Sequence, residues 1–218
     1  MGKLFDQNNP FFRIMNVLFD LIVLNVLTLL CSIPIVTAGA SFTAMHSVLW
    51  RMVRREENYI SRQFFEAFKR NFKQATAFWL VVLALLAIGL GDVWILSGMD
   101  GPVRVLLEGA LAITACLVLV VGQYYFVMLS RYENSVMGHV RNAAKLAFGF
   151  FPRTLGMLVI MVAFALAYLQ YLGYVVPLIL LLGVTLPQYC CAWLYDPIFR
   201  RLDNDVDADG KLVKSTFV

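Results

Sequence analysis

The sequence predicts an all-α, polytopic transmembrane helical bundle, and three observations carry that prediction. Of 218 residues, 61% are hydrophobic and 15% charged, against about 45–50% and about 25% in a soluble domain. Mean hydropathy is +0.75, more apolar surface than a soluble core of this length can hide, whereas a bilayer serves as the outer solvent. Apolar runs of membrane-crossing length recur along the chain, and the basic residues fall in alternate connections between them. Residues 1–200 form a single transmembrane domain in this reading, and 201–218 a polar acidic cytoplasmic tail.

The first run covers 14–36 and is broken near its end by Pro34. A second stretch, 38–50, has no formal charge if His46 is neutral; it is short for a span and extends to Arg55 as a helix with its last turn in the headgroups. The third run is 75–97, the fourth 103–129 with Glu108 inside it, the fifth 154–172, and the sixth 175–194, where Pro177 and Pro187 predict kinks. Six spans result if 38–50 crosses the membrane; five is the alternative. Trp79 and Trp94 bracket the third run at the separation of two interfacial anchors.

Of the 18 Lys and Arg residues, all but Lys3, Arg13 and Arg104 lie in segments 51–73, 131–153 and the C-terminal tail. The positive-inside rule places these segments, and the C-terminus, in the cytoplasm of a cell whose plasma membrane holds the chain. Basic residues confined between apolar runs mark membrane loops, not a nucleic-acid-binding face.

Two basic segments have the pattern of interfacial amphipathic helices. In 64–73, Phe64, Phe65, Phe68 and Phe72 recur at helical spacing while Lys69, Arg70 and Lys73, with Asn71 among them, face elsewhere. In 136–151, Val140, Ala143, Ala144, Ala147 and Phe148 oppose Arg141 and Lys145, and His139 is expected to face headgroups. Such helices lie at the headgroup boundary, making the lipid bilayer the first partner. A span, an interfacial helix and a span occur twice in the same orientation, the layout of a parallel duplication.

Ionisable and amide side chains at membrane depth are the functional suspects. Asp20 sits well inside the first run with Asn16 one turn before it and Asn25 further along; His46 lies on the second helix beside Ser41, Thr43 and Ser47. A bundle-facing Asp20 carries a proton or binds a polar solute; the plainer alternative for all four is an interhelical hydrogen-bond tie. Asp92 and Glu108 are outer-end carboxylates, and Arg104 is placed for an i,i+4 ion pair with Glu108. Cys31, Cys116, Cys190 and Cys191 read as small apolar residues with no disulfide framework, and the two distant histidines supply no metal-site spacing. The tail sequence 205–210 matches the first half of a calcium loop, but Thr216 stands where the bidentate Glu is required, so it reads as a solvated tail.

The stretch Ser32-Ile33-Pro34-Ile35-Val36-Thr37-Ala38-Gly39-Ala40-Ser41 resembles a signature of the YesL-like family of bacterial integral membrane proteins, a domain of unknown function. The stretch from Phe64 through Lys69-Arg70-Asn71-Phe72-Lys73-Gln74-Ala75-Thr76 is similar to its second signature, and Asn25 also fits. Physical logic agrees with the first motif: Pro34 ends a helix, and Gly39 and Ala40 allow close backbone approach in a tight helical hairpin.

The resemblance implies a helical membrane protein associated with carbohydrate uptake and gives no catalytic residues or cofactors. No phosphate-binding loop, nucleophile elbow or metalloprotease motif is present. The expectation is a non-enzymatic accessory to carbohydrate uptake or its sensing, partnered by sugar-transport membrane subunits. The alternative is a small secondary transporter or channel with Asp20 in the solute or proton path. An intramembrane enzyme would need Asp92 and Glu108 to converge on one cleft.

Overall fold

A computed structural model describes residues 10–56, 59–171, 177–178 and 180–203. Every regular element among them is helical: α1 (Pro10–Ser32), a 3₁₀ turn (Ile35–Thr37), α2 (Ala38–Arg54), α3 (Ile60–Leu96), α4 (Pro102–Arg131), α5 (Val136–Gly149), α6 (Phe151–Gln170) and α7 (Thr185–Leu202). Among the described residues, four helices are long and apolar enough to cross a membrane: Ile14–Ser32 of α1, and α3, α4 and α6. The chain is an integral membrane protein by that measure. The calcium-loop-like stretch lies outside the described residues.

The hairpin forms as its sequence dictates. Pro34 takes an extended conformation (φ −74°, ψ 108°) between α1 and the 3₁₀ turn. Thr37 closes the corner, donating from Oγ1 to the Cys31 carbonyl at 2.7 Å and the Pro34 carbonyl at 2.8 Å. Ser41 Oγ then donates to the Thr28 carbonyl at 2.8 Å, tying α2 back to α1. The following helix runs to Arg54, and Arg55 ends it in the left-handed region at φ 59°.

Helix α2 is the central post. Ala40, Ala44, Met45, Val48 and Leu49 are wholly buried, as are Ser41, Thr43 and Ser47. Contacts surround it with α1, α3, α4 and α7. Its low apolarity follows: a helix walled by protein needs small residues for close approach more than lipid-compatible ones.

Helix α3 departs from expectation. The segment 64–73 is no separate interfacial helix; it is continuous with the third span in one 37-residue helix. That length is about 55 Å, so roughly 25 Å stands clear of a hydrocarbon core about 30 Å thick. Phe64 is fully buried and Phe68 half-buried, and both join the core instead of lying in the acyl region; Asn71 is also buried. Lys69, Arg70 and Lys73 are exposed and Phe65 partly so. Helix α5 ends at Gly149 and is separated from α6 by Phe150, so the two expected copies are built differently.

The sixth apolar run is interrupted as well. Turn conformation at Gly183 and Val184 precedes α7, which starts at Thr185 and carries Pro187 in its first turn, where a missing N–H breaks no helical bond. Trp79 is an internal strut: its Nε1 donates to the Ile35 carbonyl at 2.7 Å, and its ring meets Phe42 edge-on at 5.8 Å. Trp94 remains outward-facing. The cysteines are all free thiols.

Gly39 is where α2 and α3 touch most closely. A Cβ there would lie 2.5 Å from Trp79 Cβ and 2.8 Å from the Ala75 carbonyl oxygen, so the helices would have to part. Gly39→Ala is expected to destabilise by about 1–3 kcal/mol, read as a fall in melting temperature in detergent. Gly91→Ala, where no atom lies within 4 Å of the new methyl, is expected to hold or raise it. Equal melting temperatures for the two variants would refute the close-contact account.

Candidate functional site

The polar residues at membrane depth do not converge. Asn25 is wholly buried, and its amide ties α1 to the start of α7. Nδ2 donates to the Leu180 carbonyl at 2.8 Å, and Oδ1 accepts from the backbone N–H groups of Val184 (2.9 Å) and Thr185 (3.1 Å). Thr185 Oγ1 donates to the Leu21 carbonyl at 3.0 Å. The first N–H groups of a helix have no intrahelical partner, and here a side chain from a distant helix supplies one. Asn16 is exposed, and Asp20 is half-buried.

His46 is buried on α2, with Nδ1 3.4 Å from the Tyr195 hydroxyl and the two rings edge to face at 6.1 Å. It also lines a cavity of about 400 Å³ between α2, α3, α4, α6 and α7. Phe42, Trp79 and Phe126 form one wall, and Gln123, Tyr168 and Gln188 bring polar atoms to it. The Oε1 atoms of Gln123 and Gln188 are buried without a hydrogen-bond partner. Of the four expected polar residues, His46 alone lines this cavity; Asn16, Asp20 and Asn25 do not.

The densest electrostatics lie at the basic end, where α2, α4 and α7 finish. Asp196, 2% exposed, receives Arg54 Nε at 2.7 Å and Arg200 Nε at 2.6 Å, with Arg131 Nη1 at 3.7 Å. Asp203 receives Arg54 Nη1 at 2.8 Å, Arg131 Nη2 at 2.9 Å and the Tyr132 hydroxyl at 2.6 Å. Trp50 and Phe199 sandwich the network, their ring centroids 4.6 and 4.9 Å from the Arg131 guanidinium carbon. Burial alone would raise the Asp196 carboxyl; hydrogen bonds from Arg54 and Arg200 outweigh it and hold the group below the usual carboxylate range.

Sequence reasoning missed this network. It placed 201–218 in a solvated tail, yet α7 continues to Leu202 and Asp203 is locked to two arginines. The only local signal was the i,i+4 spacing of Asp196 and Arg200. The Arg104–Glu108 pair, by contrast, forms as expected at 2.7 Å, and Asp92 and Glu108 are both exposed. His139 is not headgroup-facing: it is wholly buried, its ring edge-on to Tyr125 at 5.9 Å, and neither ring nitrogen has a hydrogen-bond partner. Burial pushes its pKa down to about 4.

Comparison with known proteins gives one match. A family described as a protein of unknown function, DUF624, matches residues 21–93. The matched stretch spans most of α1, the hairpin, α2 and nearly all of α3, and it contains both motifs that carried the resemblance. It supports likeness to a family of unknown function and brings no narrower name. No curated protein and no solved structure matches the chain.

Two outcomes follow from the basic end. Asp196→Ala leaves buried guanidinium groups uncompensated and is expected to cost about 3–5 kcal/mol, whereas Asp203→Ala, at a site 32% exposed, costs less; melting curves of the purified variants decide the order. For His139, the unfolded ring titrates near 6.5 and the folded ring near 4. Between those values the unfolded chain binds the extra proton, so stability falls as pH drops through that window, by up to about 3 kcal/mol. His139→Phe is expected to flatten this part of the pH–stability curve, while the loss from Asp196 protonation comes at lower pH. An unchanged slope in the variant would assign the effect elsewhere.

Proposed function

We propose that this chain is a non-enzymatic accessory of a membrane uptake system, with carbohydrate the cargo suggested by the family resemblance. It crosses the membrane six times, α2 and α7 running beside the four apolar spans, and its basic end faces the cytoplasm. The C-termini of α2, α4 and α7 come together at that end through the Arg54, Arg131 and Asp196 contacts, which supports alternating crossings. The positive-inside rule supports the orientation.

The observation that carries the accessory reading is the preformed basic end. Ion pairs fix three helix ends against one another, while the N-terminal part of α3 is long enough to project beyond the hydrocarbon core with Arg62, Lys69, Arg70 and Lys73 exposed. A rigid charged surface outside the hydrocarbon suits reception of a partner subunit, since little ordering entropy remains to be lost on docking.

Affinity purification from native membranes in mild detergent, followed by mass spectrometry, tests this. A sugar-transport subunit in stoichiometric amount is the expected result. A clean, self-associated protein would instead favour a small transporter or channel, the reading to which the cavity beside His46 lends weight. In that case His46→Gln, at the cavity wall, is the first variant to assay for lost flux in proteoliposomes, ahead of Asp20→Asn.

A further inference from the structure

The junction of α3, α4 and α5 carries a two-part feature, whose basic half shares Lys69, Arg70 and Lys73 with the charged surface of the accessory reading and whose apolar half that reading does not use. Its polar part is a cleft of about 770 Å³. Lys69, Arg70 and Lys73 on α3 line it, with Asn134 and Ser135 just before α5 and one acid, Glu133. Arg131 also borders the cleft but is committed to Asp196 and Asp203, so three cations face one carboxylate. Arg70 Nη2 donates to the Ser130 carbonyl at 3.2 Å and Gln74 Nε2 to the Asn134 carbonyl at 3.2 Å, fixing the two walls relative to each other. Ser135 Oγ caps α5 by accepting from the Gly138 N–H at 3.1 Å, and the positive end of that helix adds to the field in the cleft.

The apolar part begins one step away. A groove of about 370 Å³ runs between the same three helices, lined by Phe78, Val81 and Leu85 of α3, Val121 of α4, and Val136 and Met137 of α5. Gln74 of the cleft and Phe78 of the groove are one turn apart on α3; Ser135 and Val136 are consecutive. The change from polar to apolar lining falls where the apolar run of α3 begins, at Ala75, between Gln74 of the cleft and Phe78 of the groove, so a bilayer spanning that run puts the cleft at its headgroups. Met137 is 74% exposed, so the groove opens laterally.

From this juxtaposition we infer a binding site for one anionic phospholipid, its phosphate held by Lys69, Arg70 and Lys73 and one acyl chain laid in the groove between Phe78, Val121 and Met137. Charge selects the headgroup: basic residues clustered at a membrane surface favour anionic over zwitterionic lipid. The groove selects a membrane-resident ligand over a soluble phosphate, because only a lipid fills both halves at once. A free phosphate would use the cleft and leave the carbon-lined groove in contact with bulk lipid. The inference stands independently of which partner or solute the protein serves.

The test is native mass spectrometry of the full chain, purified in mild detergent and equilibrated with mixed micelles of phosphatidylglycerol and phosphatidylcholine. Wild type is expected to retain one phosphatidylglycerol in preference to phosphatidylcholine. The triple variant Lys69→Gln, Arg70→Gln, Lys73→Gln is expected to lose that preference by at least about tenfold. Val121→Trp, which fills the groove and leaves the charges in place, is expected to weaken retention of both lipids. Arg55→Gln with Arg141→Gln and Arg201→Gln, three exposed cations outside the cleft, should behave as wild type and control for net charge. Equal retention of the two lipids by wild type would overturn the proposal, as would a triple variant that keeps its preference. So would displacement of the lipid by inorganic phosphate at millimolar concentration, which would assign the cleft to a soluble anion.

Discussion

A short helix buried on almost every side keeps its place only if both ends are held, and that constraint organises this protein. Helix α2 has too little apolar surface to be retained by lipid, and its small residues give dispersion contacts only while its neighbours stay close. One end is set by the corner at Pro34 and by Gly39 against Trp79. The other is set by Arg54, whose guanidinium reaches both Asp196 and Asp203. Between these fixed points the wall of α1, α3, α4 and α7 closes around it.

Most of the polar side chains within the bundle follow from the same requirement. A backbone or side-chain group away from water must find a partner inside the protein. Thr28 and Ser32 bond back to carbonyls one turn earlier, Ser41 bonds across to the Thr28 carbonyl, and Asn25 meets the first N–H groups of α7 where the chain has just left a turn. Break the sixth apolar run at Gly183–Val184 and new orphan donors appear in the apolar layer; Asn25 is the residue placed to take them. The exceptions stand out for that reason. Among them, the carbonyl oxygens of Gln123 and Gln188 meet the cavity without a protein partner, the Ser47 and Thr76 hydroxyls are buried without one, and so are both imidazole nitrogens of His139. A neutral ring is the form such a site tolerates.

Membrane class, helical content, the Pro34 corner, the extension of α2 to Arg54 and the Arg104–Glu108 pair were legible because each is set by local composition or short-range spacing. The continuity of α3 was hidden because Lys69, Arg70 and Lys73 resemble a headgroup boundary, yet nothing in 64–76 breaks a helix, and Phe64 finds core where lipid was expected. His139 shares its helix with Arg141 and Lys145, so its face could be assigned only once α5 was seen against α4. The ion-pair network was invisible in one dimension: Arg54 and Asp196 are 142 residues apart, and an acidic residue shortly before Arg200 and Arg201 looks solvated until α7 carries it to the end of α2.

The division of charge at the basic end has a physical consequence of its own. Arg54 and Arg131, both largely buried, are matched by Asp196 and Asp203 and stacked on Trp50 or Phe199. Unmatched, they would carry a desolvation penalty no surface gain offsets. Lys69, Arg70 and Lys73 lie at the rim, where a cation costs little to keep and loses little when a partner leaves. Interior charges therefore fix the positions of three helices, and rim charges remain available to bind. Because Arg131 both borders the cleft and belongs to the locked network, the geometry of the binding rim is inherited from the lock: loosening Asp196 or Asp203 frees the end of α4 and with it one wall of the cleft.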